Sequence, residues 1–424
     1  MKSIAVIGGG ITGVTTAYAL AKRGCSVTLL EKHRYAAMET SFANGGQLSA
    51  SNAEVWTHRS TLLKGLKWML KSDAPLLVNP KPSWHKLSWF AEFIANIPHY
   101  RQHTIETARL AVAAREHLFA WAEAEGVQFD LRKEGILHIY RDKAGFDHAG
   151  EVSQLLAAGG LPRRAVTPAE MRAIEPTLAG HYYGGYYTES DSTGDIHRFT
   201  NGLAAAAERL GVRLLFGQQV RSLHSDGHMA VVKVADEAGL QEHRFDALVV
   251  CAGVASRELA AQLGDRVNIY PVKGYSITVN LLDEASQRAA PTVSLLDDET
   301  KLVTSRLGVD RFRVAGTAEF NGYNQDIRAD RIKPLVDWVN QCFPGVSTRQ
   351  VQPWAGLRPM LPSMLPRVGR GRQANVFYNT GHGHLGWTLS AVTADMIAGV
   401  VAQADEQPIQ VGAAPGKPLF PLRA

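Results

Sequence analysis

The chain is poor in cysteine: Cys25, Cys251 and Cys342 are the only 3 in 424 residues, widely separated and without a CxxC pair. That excludes a disulfide-built scaffold and a cysteine metal cluster, and leaves small buried thiols of a reducing compartment. No run of eighteen apolar residues occurs, so no membrane-spanning helix is expected. A strong charge of one sign is also missing: 45 Lys and Arg face 40 Asp and Glu, a formal +5 spread along the chain. No RRM, KH or zinc-finger pattern concentrates that charge, which excludes nucleic acid as a partner and remains compatible with an anionic substrate or an acidic membrane surface. There is no P-loop, no Ser-His-acid constellation, no paired-carboxylate motif, no internal repeat and no low-complexity linker. His99 and His103 lack the Glu of HExxH, and His382 and His384 have no third ligand at metal spacing, so no metal is expected.

What is present is ordinary globular composition, 45% hydrophobic and 20% charged, in a chain long enough for roughly two or three domains. Ser3 to Ile7 is a short apolar run that predicts a buried parallel strand. Gly8, Gly10 and Gly13 follow as GxGxxG, Ile11 to Arg23 has helical character, and Ser26 to Leu30 is a second strand ended by Glu31. Gly8 allows the tight turn, Gly10 lets backbone approach a pyrophosphate, and Gly13 lets the helix pack close on the strand. The helix N-terminus offers free N–H groups to phosphates. Glu31 suits a ribose 2′-hydroxyl and would repel a 2′-phosphate, which argues against NADP. The unit is a dinucleotide site, and by itself does not separate FAD from NAD. Lys2 and the apolar stretch after it are read as this folded motif and not as a cleaved leader.

Asp246 to Ala252, running into Gly253, predicts another buried strand of the same sheet. Asn375 to Tyr378 predicts one more, followed by the Gly-rich turn Asn379 to Thr388 and an apolar helix over Leu389 to Ala402. One nucleotide has one pyrophosphate, so this second anion-stabilising turn is expected to face the negative N1–C2=O edge of a reduced flavin. Residues 59–189 read as mostly helical with a strand over Gly135 to Tyr140. Residues 266–352 read as strands: Asn268 to Tyr270, Tyr275 to Val279, Lys301 to Thr304 and Phe312 to Ala315. The expected fold is α/β: a Rossmann-like FAD-binding domain of residues 1–58, 190–265 and 353–424, interleaved with an α+β substrate domain, built on a mixed or antiparallel sheet, of residues 59–189 and 266–352.

Seven segments carry a resemblance: Gly8 to Glu31, Glu39 to Gln47, Gly65 to Met69, Thr193 to Asp195, Tyr270 to Ser276, Gly356 to Met360 and Asn379 to Thr388. In that order they resemble FAD-dependent amine and amino-acid oxidoreductases of the D-amino-acid oxidase superfamily, and within it the D-amino-acid dehydrogenases of small-subunit type. The resemblance implies non-covalent FAD and oxidation of a D-amino acid by hydride transfer from Cα to flavin N5. The products would be an imino acid, then a 2-oxo acid and ammonia. Relatives of this kind pass electrons to a quinone or another respiratory acceptor. Dehydrogenation of cyclic secondary D-amino acids (D-proline, cis-4-hydroxy-D-proline) and an oxygen-using glycine or sarcosine oxidase are the alternatives. Two departures bear on the substrate: Pro362 to Pro366 stands where the family usually has an Asp-Gly pair, and Gly45 replaces a more usual Ala.

Carried over by that resemblance, the FAD contacts are Gly8, Gly10, Ile11, Thr12, Gly13, Glu31, Lys32, Thr40, Ser41, Asn44, Gly45, Gly46, Gln47, Ala252 and Gly253, with Gly381, His382, Gly383, His384, Leu385, Gly386, Trp387 and Thr388 from the second turn. Arg358 matches the family arginine that clamps the substrate carboxylate, a task its planar fork suits. Lys273 and Tyr275 are the further catalytic candidates, each equally readable as a strand residue; Tyr270 and Tyr323 are weaker ones. Asp195 reads as either a helix cap or a ligand. Residues 56–105 hold four of the eight tryptophans and seven Lys or Arg against two acids, with Lys64, Lys67 and Lys71 on one helical face. General amphipathicity favours an ordinary surface helix covering the pocket, with a peripheral contact with the inner face of the bacterial cytoplasmic membrane, by an otherwise cytoplasmic protein, as the alternative.

Overall fold

The computed structural model describes residues 2–58, 75–237 and 239–403. Ser3–Ile7 is flanked by strands on both sides, and Ile4, Ala5 and Val6 are fully buried. This is why the run is continuously apolar: in a parallel sheet covered on both faces neither side of a strand meets water. The six-stranded sheet runs Arg367–Arg370, Val376–Thr380, Ala247–Val250, Ser3–Ile7, Ser26–Leu30, Arg213–Leu215, parallel throughout except for the antiparallel edge strand Arg367–Arg370. Helix Ile11–Lys22 covers one face together with helix Gly386–Ala402, and Tyr100–Glu125 packs on that second helix. An antiparallel meander of Gln219–Ser225, Ala230–Asp236 and Gly239–Phe245 packs on the other face.

Gly383–Ala402 is long and apolar enough to cross a membrane by length and composition. Here it is a core helix. Ala391, Ala394, Ile397 and Ala398 are buried against Ile11–Lys22, the small residues permitting close approach.

The second sheet has nine strands of mixed direction. Val351–Met360 is one edge of it; next to that edge lies Tyr270–Asn280, antiparallel to Val351–Met360 on one side and to Arg311–Phe320 on the other. The sequence suggested two short strands here; the chain makes one of 11 residues, buried at every position but the last. Val351–Met360 also lies in this second sheet, although the sequence reading groups residues 353–424 with the cofactor domain. Pro353, Gly356 and Pro359 blur its alternation, and its partner is chosen by a register set far away in the chain.

Arg311–Phe320 carries one extra residue opposite Lys273 to Tyr275. Thr317, at the bulge, sits at φ 56°, a left-handed conformation that a β-branched residue rarely adopts.

Candidate active site

At the C-terminal edge of the six-stranded sheet, Gly8 takes φ 107° and a Cβ there would lie 2.7 Å from the Cys251 carbonyl oxygen. A Cβ on Gly13 would lie 1.8 Å from the Gly8 carbonyl oxygen, so helix and strand touch backbone to backbone. Gly10 differs: its added Cβ would meet only Ser41 Oγ at 3.6 Å, leaving open space before the helix. Ile11 N–H donates to Ser41 Oγ at 3.1 Å. Glu31 accepts from the backbone N–H of Gly9 at 2.6 Å and of His33 at 2.9 Å, which holds its carboxylate at the end of the second strand. Gly9 thereby joins the glycines that matter, since its Cβ would strike Glu31 Cγ at 2.9 Å.

From here a cavity of about 760 Å³ runs to the second sheet, within the range of small-molecule sites. Of the residues expected to hold a cofactor, all but Gly13 line it. The segment after the second strand is tied to the far sheet by its own backbone: Ser276 Oγ–H donates to the Ala43 carbonyl at 2.8 Å, Arg313 to that of Asn44 at 3.1 Å and Ser305 to that of Gly45 at 2.6 Å. A Cβ on Gly45 would meet Val303 Cγ2 at 2.6 Å, which is why the usual Ala is absent. Thr40 donates to the Leu357 carbonyl at 2.8 Å, and Gln47 to Ser294 Oγ at 2.7 Å.

Arg358 stands at the inner end. Its guanidinium lies over Gly274, where a Cβ would sit 2.2 Å from Nη1, and it donates to the Thr317 carbonyl at 2.8 Å. No carboxylate among the described residues pairs with it, and burial pushes its pKa down to about 10. It remains a cation at neutral pH, and none of the carboxylates that line the cavity, Glu54 and Asp298 among them, forms an ion pair with it.

Beside it is the turn Gly381 to Thr388. Met360 and His382 form an antiparallel bridge that fastens this turn to the end of the arginine's strand. Burial holds His382 neutral, its pKa down to about 3, with Nε2 2.9 Å from Thr393 Oγ1. His384 stacks on Trp56 at 5.0 Å, and burial, with Arg358 and Lys301 adding to it, lowers its pKa to about 4. Thr388 Oγ1 accepts from the Ser49 N–H at 3.2 Å.

Two catalytic candidates are corrected. Lys273 does not reach the cavity: its ammonium is fully buried, 2.7 Å from Asn324 Oδ1 and 3.4 Å from Glu319 Oε1. Tyr275 borders the cavity, but its hydroxyl donates to Glu319 Oε2 at 2.9 Å, and the Arg331 guanidinium lies 5.9 Å from its ring. Both project to the sheet face opposite Gly274 and Ser276, the face packed by helix Ala329–Cys342, because successive side chains alternate along a strand. Asp195 caps helix Ile196–Arg209 and pairs with Arg311 at 2.8 Å. Trp56, Glu54 and Gln218 to Arg221 line the cavity without any local sequence signal. Lys64, Lys67, Lys71 and the segment Gly65 to Met69 lie outside the described residues.

A family model described as DAO, FAD dependent oxidoreductase, matches residues 3–400. The chain belongs to that family. A protein of Mesorhizobium japonicum named D-amino acid dehydrogenase 3 is 61% identical over 402 residues, covering 95% of this chain and 97% of its own. D-amino acid dehydrogenases of Paramagnetospirillum magneticum and Dechloromonas aromatica are 40% and 39% identical, over 93% and 96% of this chain and 95% and 98% of theirs. Among solved structures, glycine oxidase from Geobacillus kaustophilus superposes with a TM-score of 0.71 at 20% identity, covering 95% of each chain. L-proline dehydrogenase from P. horikoshii does so at 0.71 and 17%, over 95% of this chain and 93% of its own. At such identity the likeness shows the fold alone.

The DAO family uses FAD, and the residues here fit it. The open space in front of Gly10 would admit a phosphate where a side chain would intrude, Glu31 would suit a ribose hydroxyl, and the Gly381 to Gly386 turn brings glycine backbone to the cavity.

Proposed function

We propose that the chain oxidises D-amino acids to imino acids, which water converts to 2-oxo acids and ammonia. The single observation that carries this reading is Arg358: a buried guanidinium in the cofactor cavity, held flat over Gly274 and lacking a carboxylate from the described chain. A fork of this kind fits a carboxylate through two parallel charge-assisted bonds. FAD, when bound, supplies the acceptor for the hydride that leaves the substrate's Cα. The chain's own share is to fix the substrate acid group, to exclude water and to hold neutral side chains around the reacting carbon. The relatives' names support D-amino acids, with the 61% identical protein foremost. Cyclic secondary amines and oxygen-using oxidation gain no comparable support.

The test is anaerobic bleaching of the purified yellow protein by D-alanine, D-proline, cis-4-hydroxy-D-proline, sarcosine and the L-forms. Reduction by D-alanine and not by L-alanine is expected; reduction by none of the D-forms overturns the reading.

For the electrons, a quinone at the inner face of the cytoplasmic membrane is the acceptor we favour. Helix Trp84–Ala95 turns Trp84 (81% exposed), Leu87 (54%) and Ile94 (51%) to solvent on one face, a pattern suited to an interfacial contact. Sedimentation with anionic vesicles is expected for the wild type and weakened in a Trp84→Ser, Leu87→Ser variant. Equal sedimentation of both removes the contact.

A further inference from the structure

A carboxylate clamp fixes only one end of an amino acid. The molecule still turns about its Cα–carboxylate bond, and a second contact, at the amine, is needed before the Cα–H has a defined direction. Among the cavity residues, His384 is built to give that contact.

Its Nε2 lies 3.3 Å from the Asn52 carbonyl oxygen. A carbonyl only accepts, so in the neutral ring Nε2 carries the proton and Nδ1 keeps its lone pair. Nδ1 has no hydrogen-bond partner among the described residues. The ring plane is fixed by stacking on Trp56, with centroids 5.0 Å apart and planes 20° from parallel. His384 lines the same cavity as Arg358. The Met360–His382 bridge holds the two together, Arg358 being two residues before Met360 and His384 two residues after His382. Gly383, at φ 60°, packs on Met360, where a Cβ would lie 2.9 Å from Sδ, so the turn cannot drift from the strand without losing that fit.

We propose that His384 Nδ1 accepts a hydrogen bond from the substrate's amino group and, with Arg358 on the carboxylate, fixes the orientation of Cα. The assignment rests on the amino-acid reading above and goes beyond a flavin contact for this residue. The surrounding charge agrees with it. Arg358 and Lys301 both act on the ring, and two cations nearby favour a free amine over an ammonium, the form from which a hydride can leave.

The test compares ligands with and without the amine. Binding of D-alanine is read from the concentration dependence of anaerobic flavin reduction; binding of propionate, which keeps the acid and lacks the amine, is read by calorimetry. His384→Leu removes the acceptor, and His384→Asn returns an oxygen near the place of Nδ1. Expected is a loss of ~10–100-fold for D-alanine in His384→Leu, propionate unchanged within about twofold, and recovery of most of the loss in His384→Asn. Equal weakening of both ligands, or of neither, overturns the proposal, as does an Asn variant no better than Leu. A wild type that no D-amino acid reduces, yet which binds propionate, sinks the parent reading instead.

Discussion

At the scale of single residues, the site depends on charges and on their deliberate absence. On the proposed reading Arg358 is the cation that would meet the substrate acid group, and it is held by the backbone carbonyls of Thr317 and Gly316, with no acid among the described residues paired to it. Arg358→Ala is expected to cost about 3–5 kcal/mol of substrate interaction, seen as a KM raised ~100-fold or more. Arg358→Lys recovers only part, because an ammonium lacks the fork. A KM change under about threefold in the alanine variant contradicts the role. His382 gives a pH signature. Its pKa is depressed from 6.5 to about 3 by burial, so its contribution to stability is full above pH 6.5 and is lost as the pH falls from there towards 3. By linkage that contribution drops by about 2 kcal/mol at pH 5. Urea unfolding at pH 7.5 and pH 5 is expected to show a smaller acid loss in His382→Gln than in the wild type, and an equal loss refutes it.

At the scale of elements, the strand–turn–helix unit from Ser3 to Leu30 separates two demands that its glycines meet. Gly13 serves the fold, since its Cβ would overlap the Gly8 carbonyl at 1.8 Å; Gly10 serves the ligand, since nothing of the chain stands in its way. Gly13→Ala is therefore expected to lower the melting temperature of the cofactor-free protein, by about 1–3 kcal/mol of overpacking strain. Gly10→Ala is expected to leave the cofactor-free protein within about 1 kcal/mol of wild type while weakening FAD binding; melting curves and FAD titration separate the two. This unit was legible in the sequence because its strand, glycine spacing, helix and closing acid all fall within some thirty residues, although the neighbouring strand Ala247–Val250 does not. Strand Val351–Met360 was not. Whether it joined the first sheet or the second depended on the register with Tyr270–Asn280, which its interrupted alternation does not encode.

At the scale of the whole molecule, the cavity lies between two sheets drawn from interleaved stretches of chain, and Asn44 to Gln47 are hydrogen-bonded into the far sheet from the near one. A ligand filling that space binds only the folded protein, so FAD at a hundred times its Kd is expected to stabilise by about 2.7 kcal/mol. Stripping the cofactor should lower the melting temperature and restoring it should raise it; coincident melts would show that the cavity is not where FAD binds.

The sequence alone determined the pattern that is local: a glycine turn between strand and helix, an acid at the end of the next strand, a second glycine turn opening a helix, and an arginine among Gly356, Leu357 and Pro359. It could not determine which side chains share one cavity. The Lys273 ammonium and the Tyr275 hydroxyl are one strand away from Arg358, yet both turn to Glu319 while the guanidinium lies over Gly274. A strand sends alternate side chains to opposite faces, and which face becomes the site is fixed only when distant strands pair in one register.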